Sequence, residues 1–210
     1  MSEFDWALGT GDIKVLPAIL YVHLSKAVSR YRDLLQRSKR RGELGYVAWL
    51  ARNLLELSIW AEYCSQPAQN AEEFFRDAVR DLVDLDKNVG GLAPETKRDL
   101  EKARKFVGAA KPAHKYKRVD DAAARIDAKG YAANSKILSK FVHPTAMSVL
   151  ARLPDEAADM VRKQFVELGR QLAAEAQRRL ESSHIGESYR KYQPTMSRML
   201  ATLPREKRPF

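Results

Sequence analysis

Apolar residues recur along this chain at steps of three and four, the interval that lines them up on one face of an α-helix. Between about Ile13 and Arg41 the repeat is Leu16, Ile19, Leu20, Leu24, Val28, Tyr31, Leu34 and Leu35, with Asp12 placed to cap its start and Gly42 to break its end. Asn70 and Glu73 form a capping-box-like start for a helix from Ala71 to about Asn88, which turns Phe74, Phe75, Ala78, Val79, Leu82, Val83 and Leu85 inward. Pro94 suits the first turn of a peripheral helix that is charged nearly all round through Lys105. Asp120 or Asp121 caps a short helix to about Lys129, Gly130 marks a bend, and a helix from Tyr131 to Val142 ends before His143-Pro144. Asp155 caps a long amphipathic helix to about His184, with Met160, Val161, Phe165, Leu168, Leu172, Ala176 and Leu180 as its buried face. Beyond Gly186 the pattern predicts only a short helix from Thr195 to Leu203, and the basic tail ends in a Pro-containing segment expected to fray.

The stretch Glu43 to Gln66 breaks this regularity. Its apolar side chains (Tyr46, Val47, Trp49, Leu50, Leu54, Leu55, Leu57, Ile59, Trp60 and Tyr63) fall on every side of a helix, which predicts a central helix covered by neighbours. It nevertheless carries Arg52, Asn53 and Glu56 in its middle. Arg52 and Glu56 are four apart and therefore adjacent, in the less favourable order with the base first, so helix support of a few tenths of a kcal/mol does not explain them. Desolvating two charges costs about several kcal/mol each unless partners return it, so the pair is either a satisfied structural clasp or the floor of a polar pocket. The short connection at Gly42 predicts an antiparallel hairpin with the preceding helix.

With 210 residues, richness in Ala, Leu, Glu, Lys and Arg and few β-branched runs, the chain is expected to be all-α: an up-and-down bundle of about five to seven helices over residues 1–186, with residues 1–12 as an N-terminal arm and 187–210 as a basic C-terminal tail. No run of apolar residues is long enough to cross a membrane, and no signal segment opens the chain. The single Cys64 excludes an internal disulfide and fits a reducing, cytoplasmic setting. With four scattered His residues it makes no recognisable metal site, and no cofactor is expected.

Charge narrows the partners further. The net charge is +10, and it is clustered: eight basic residues from Lys14 to Arg41 stand against Asp33 alone, and seven from Lys102 to Arg118 stand against none. Such clusters attract polyanions, nucleic acid first, although an ordinary solvated basic surface has the same composition. The segment Ala109 to Arg118 sets Tyr116 and His114 among lysines, a weak form of the aromatic and basic mixture that binds single strands.

A second constellation lies after Gly130. Tyr131, Ser135, Ser139 and His143 follow at steps of four, a polar stripe bordering the buried face made by Ile137, Leu138, Phe141 and Val142. Lys136 lies within about 20° of His143 on the same wheel. The stripe is either a helix boundary or one wall of a cleft whose other wall is Arg52 and Glu56.

The segments RNLLE and YAANSKILSKFVHP, with R-x3-E and S-x3-H-P spacing, resemble uncharacterised bacterial helical families and, more distantly, the HEPN superfamily of small helical bundles, many of them metal-independent ribonucleases or defence toxins. The resemblance implies an RNA-binding or RNA-cleaving protein, a homodimer, and a site in which His143 acts as general base or acid, Arg52 and Lys136 stabilise phosphorane charge, Glu56 orients Arg52 and Ser139 positions substrate. Asn53, Tyr131, Ser135, Lys140, Tyr63 and Trp60 would line it. Catalytic members carry an arginine where this chain has Lys136, and lysine offers a point charge instead of a bidentate fork. Two alternatives remain open: a non-catalytic interaction module held by a buried Arg-Glu-Ser-His network, and a pocket for a small anionic ligand or nucleotide.

Overall fold

The computed structural model describes residues 13–39, 43–89, 94, 97, 101, 118–143 and 153–202. The expected arm and its Asp12 cap, the basic Arg40-Arg41 pair, the loop 109–117, the connector 144–152 and residues 203–210 lie outside them. Of the expected helix from Pro94 to Lys105, Pro94, Lys97 and Glu101 are described, and all three are helical.

The protein is an all-α helical bundle, with no strand among the described residues. A 3-10 turn, Ile13–Val15, leads into α1 (Leu16–Ser38), followed by α2 (Leu44–Ser65), α3 (Ala68–Val89), α4 (Val119–Arg125), α5 (Tyr131–Val142), α6 (Asp155–Ser182) and α7 (His184–Thr202). None of these helices is long and apolar enough to cross a membrane. The described residues belong to two compact units, one drawn from Met1–Val22, Cys64–Lys117 and Ser182–Phe210, the other from His23–Tyr63 and Arg118–Glu181.

In the first unit, α7 starts at His184, about three turns before the short helix that the sequence pattern predicts from Thr195. Ile185, Tyr189, Tyr192 and Met196 recur at steps of four, three and four; Met196 joins Val15 and Ile19 in a small core with Val22 and Tyr192 against it, and Tyr189 stacks on Tyr21 at 4.5 Å. Pro194 sits at an exposed position inside this helix, which continues through it. The helix α3 begins at Ala68, earlier than the capping-box spacing suggests, because the Asn70 N–H donates to the Pro67 carbonyl at 2.8 Å and Asn70 is itself buried within the first turn. Cys64 is fully buried, and burial raises its thiol pKa far above the ordinary value, so it is an inert packing residue.

The second unit is built around α2. Val47, Ala48, Leu50, Ala51, Leu54, Leu55, Ser58, Ile59, Ala61 and Tyr63 are buried, and each fully buried leucine contributes about 1.5–3 kcal/mol of burial free energy. Tyr31 of α1 meets Trp49 of α2 at 5.7 Å across the connection, as in an antiparallel hairpin. The cover expected on all sides is incomplete, since Tyr46 and Trp49 are exposed. The seam of α6 is also rotated from expectation: Phe165, Gly169, Ala173, Ala176 and Leu180 are buried, whereas Met160 is 58 % exposed. Small side chains explain the rotation. A Cβ at Gly169 would overlap Leu35 and approach Leu54 Cδ1 to 3.2 Å, so the missing side chain lets α6 lie directly on α1 and α2. Arg179 of α6 bonds both Glu175 and Glu62 at 2.6 Å, tying the same helix to α2 through charge.

Candidate functional site

The site is assembled by the middle of α2 and the C-terminal end of α5. The last turn of α5 closes with the His143 N–H donating to the Ser139 carbonyl at 3.1 Å, and His143 itself is extended (φ −99°, ψ 148°), as the following proline demands. The imidazole therefore leaves the helix axis instead of continuing the Tyr131–Ser135–Ser139 stripe. Its approach to α2 is close because Gly45, in the first turn of α2, lies where any Cβ would stand 3.0 Å from the Phe141 carbonyl oxygen.

Arg52 connects the two helices. Its Nε donates to Glu56 Oε1 at 3.0 Å, and its Nη1 lies 2.9 Å from His143 Nε2. A guanidinium can only donate, so His143 Nε2 is the acceptor and the ring carries its proton on Nδ1 in this contact. The Arg52 and Glu56 side chains keep 27 % and 33 % of their surface, and His143 is exposed. The cluster thus faces water and avoids the desolvation that a fully buried pair would suffer.

A second polar group adjoins it along α5. The Tyr131 hydroxyl donates to Asp120 Oδ1 at 2.8 Å, and its pKa is pushed up to about 12, by burial first, then by the bond to Asp120 and the Asp120 charge. The Glu56 charge adds to the rise while a bond from Ser135 opposes it, so Tyr131 feels α2 electrostatically. Asp120, Asp127, Tyr131, Ser135 and Lys136, together with four alanines, line an open groove of about 460 Å³. Asp121, the other expected cap, accepts the Arg118 N–H at 3.1 Å and starts α4. The turn into α5 uses Asp127 (φ 51°) and Gly130 (φ 79°), both left-handed, where glycine is unstrained and aspartate tolerated.

Of the residues singled out from sequence, the structure brings Arg52, Glu56 and His143 into direct contact and sets Tyr131, Ser135 and Lys136 together around the groove. Ser139 points its hydroxyl back into its own helix, donating to the Ser135 carbonyl at 2.6 Å. Asn53 donates to the Trp49 carbonyl at 2.7 Å, and Lys140 is exposed. Tyr63 is fully buried, its hydroxyl accepting from Arg125 Nη1 at 3.1 Å and its ring meeting Trp60 edge to face at 5.9 Å. Tyr63 thus belongs to the α2–α4 packing, with Trp60 beside it on α2. Sequence pattern does not single out Asp120 and Asp127 as groove residues. The only hint is that either of two adjacent aspartates can cap α4, which leaves the other available. Among the described residues no three His, Cys, Asp or Glu side chains converge as metal ligands do.

Comparison of the chain with protein-family models, curated proteins and solved structures returns no match.

Proposed function

We propose that this protein binds RNA and cleaves its phosphodiester backbone at the Arg52–Glu56–His143 cluster, by the metal-independent chemistry that the HEPN resemblance implies. The observation that carries the proposal is the contact of Arg52 with His143 Nε2 at 2.9 Å, held from behind by Glu56 and open to water. A phosphate oxygen is a stronger acceptor for guanidinium than a neutral imidazole is, so an entering phosphodiester takes Arg52 Nη1 from His143 and frees Nε2. The freed Nε2 then accepts the proton of the ribose 2′-hydroxyl as that oxygen attacks phosphorus. The bond to the 5′ oxygen breaks, that oxygen takes a proton from a water molecule, the hydroxide so formed takes back the proton held on His143 Nε2, and the products are a 2′,3′-cyclic phosphate and a 5′-hydroxyl. Arg52 balances the charge that builds on the non-bridging oxygens, and Glu56 fixes its orientation. The same resemblance adds a homodimer and a bacterial defence or toxin setting.

One observation favours a second reading, a structural clasp without turnover: Arg52 is satisfied by Glu56 and His143 within the protein, and Ser139 spends its proton on the helix. Incubating the purified chain with RNA and EDTA separates the two. The enzyme reading expects His143→Ala to abolish cleavage with the melting temperature nearly unchanged, and Arg52→Lys, which cannot serve phosphate with two prongs, to slow it about a hundredfold. A wild-type chain that leaves RNA intact, with His143→Ala costing about 1.5–3 kcal/mol of stability, identifies the clasp.

A further inference from the structure

We propose that Tyr46 and Trp49 form a base-stacking shelf that seats single-stranded RNA on Arg52 and His143; the inference rests on the RNA reading above and names its substrate class. Among the described residues the exposed large apolar side chains are two rings, Tyr46 (42 %) and Trp49 (38 %), and three aliphatic ones, Ile137, Leu153 and Met160, on or beside other helices. The two rings lie on α2 and stack on each other, centroids 5.8 Å apart and planes 19° from parallel. Tyr31 of α1 meets the indole at 67° and braces it.

The shelf's position points to its occupant. Trp49 precedes Arg52 by three residues, a rise of about 4.5 Å and a turn of about 60° on the same helix, within reach of a phosphate attached to a stacked nucleoside. The close approach of Gly45 to the Phe141 carbonyl puts the shelf's end of α2 beside the end of α5 that carries His143. The exposed cations Arg37 and Lys39 end α1, and exposed Lys136 and Lys140 lie on α5. A polyanion seated on these rings is attracted by the clustered positive charge of the chain, +10 in all, and neutralises part of it. Stacking on aromatic faces needs a base that is not paired, so a single strand fits and a duplex does not.

Binding to the full chain, read by fluorescence anisotropy, tests this with a 2′-O-methyl single strand, which cannot supply the attacking hydroxyl, and the same strand annealed to its complement. The single strand is expected to bind at least about tenfold tighter than the duplex. Trp49→Ala and Tyr46→Ala are each expected to weaken it about tenfold, from a stacking contribution of about 1–3 kcal/mol per base. Trp49→Leu keeps apolar bulk against Tyr31 and is expected to lose the same affinity with its melting temperature preserved, while Trp49→Phe retains most of it. Full affinity in Trp49→Leu, with binding still weakened by Arg52→Ala, overturns the shelf and leaves the RNA reading standing. Loss of self-association in the ring variants with RNA affinity intact also overturns it, assigning the rings to a second copy. A wild-type chain that binds neither probe overturns both.

Discussion

The Tyr131 hydroxyl is held protonated by burial and by its bond to Asp120. Its pKa in the folded chain, about 12, lies above the ordinary 10.0. The stabilisation tied to the protonated phenol is therefore complete below about pH 10 and is lost as pH rises through about 12, because the unfolded chain gives up this proton first. Tyr131→Phe is expected to flatten that alkaline decline in chemical-denaturation midpoints, and the ultraviolet difference between wild type and variant during titration should isolate one late phenol. A Tyr131 difference signal with its midpoint near 10 would remove the coupling to Asp120. At the same scale, Arg52 shows why residue type matters at a junction. One guanidinium reaches a carboxylate along its own helix and an imidazole on another, a division that a lysine ammonium with its single point charge cannot hold in fixed directions.

Helix α6 owes its place to what its side chains lack. Gly169 sits over Leu35, Leu54 and Ala51, with Ala173 and Ala176 completing a buried seam of small residues. Gly169→Val is expected to lower stability by about 1–3 kcal/mol in denaturant unfolding, since its side chain would overlap Leu35 and press on Leu54 and Ala51 in a buried seam. An unchanged midpoint would mean that α6 can lift away from α1 and α2 without loss. The same seam explains a misjudged face: reading large apolar residues as the buried side points to Met160, which is in fact exposed, because close helix contact is made through glycine and alanine. In α7 the error ran the other way. Four apolar positions over twelve residues were sufficient to fold a helix through Pro194 once Val15 and Ile19 were there to receive them.

For the whole molecule, the net charge of +10 sets the strongest expectation about solution behaviour. If the chain engages RNA through basic side chains, log K should fall linearly with log salt at a slope of about −0.7 for each phosphate neutralised on a single strand, and affinity that holds level from low to physiological salt would exclude the polyanion reading. The sequence by itself determined the helical class, most helix boundaries within a turn, and the extended backbone at His143, because periodicity, glycine and proline act locally. It also placed Arg52 beside Glu56, since a separation of four residues has one outcome on a helix. Only the tertiary structure decided that His143 closes on Arg52, that Tyr63 is buried while Tyr46 and Trp49 face outward, and that Ser139 turns back to its own helix. Those outcomes depend on which helix covers which side of α2. A helical wheel gives each side chain an angle but not the neighbour that fills it, so Trp49 and Tyr63, both aromatic positions of one apolar helix, part company only when α4 and α6 arrive.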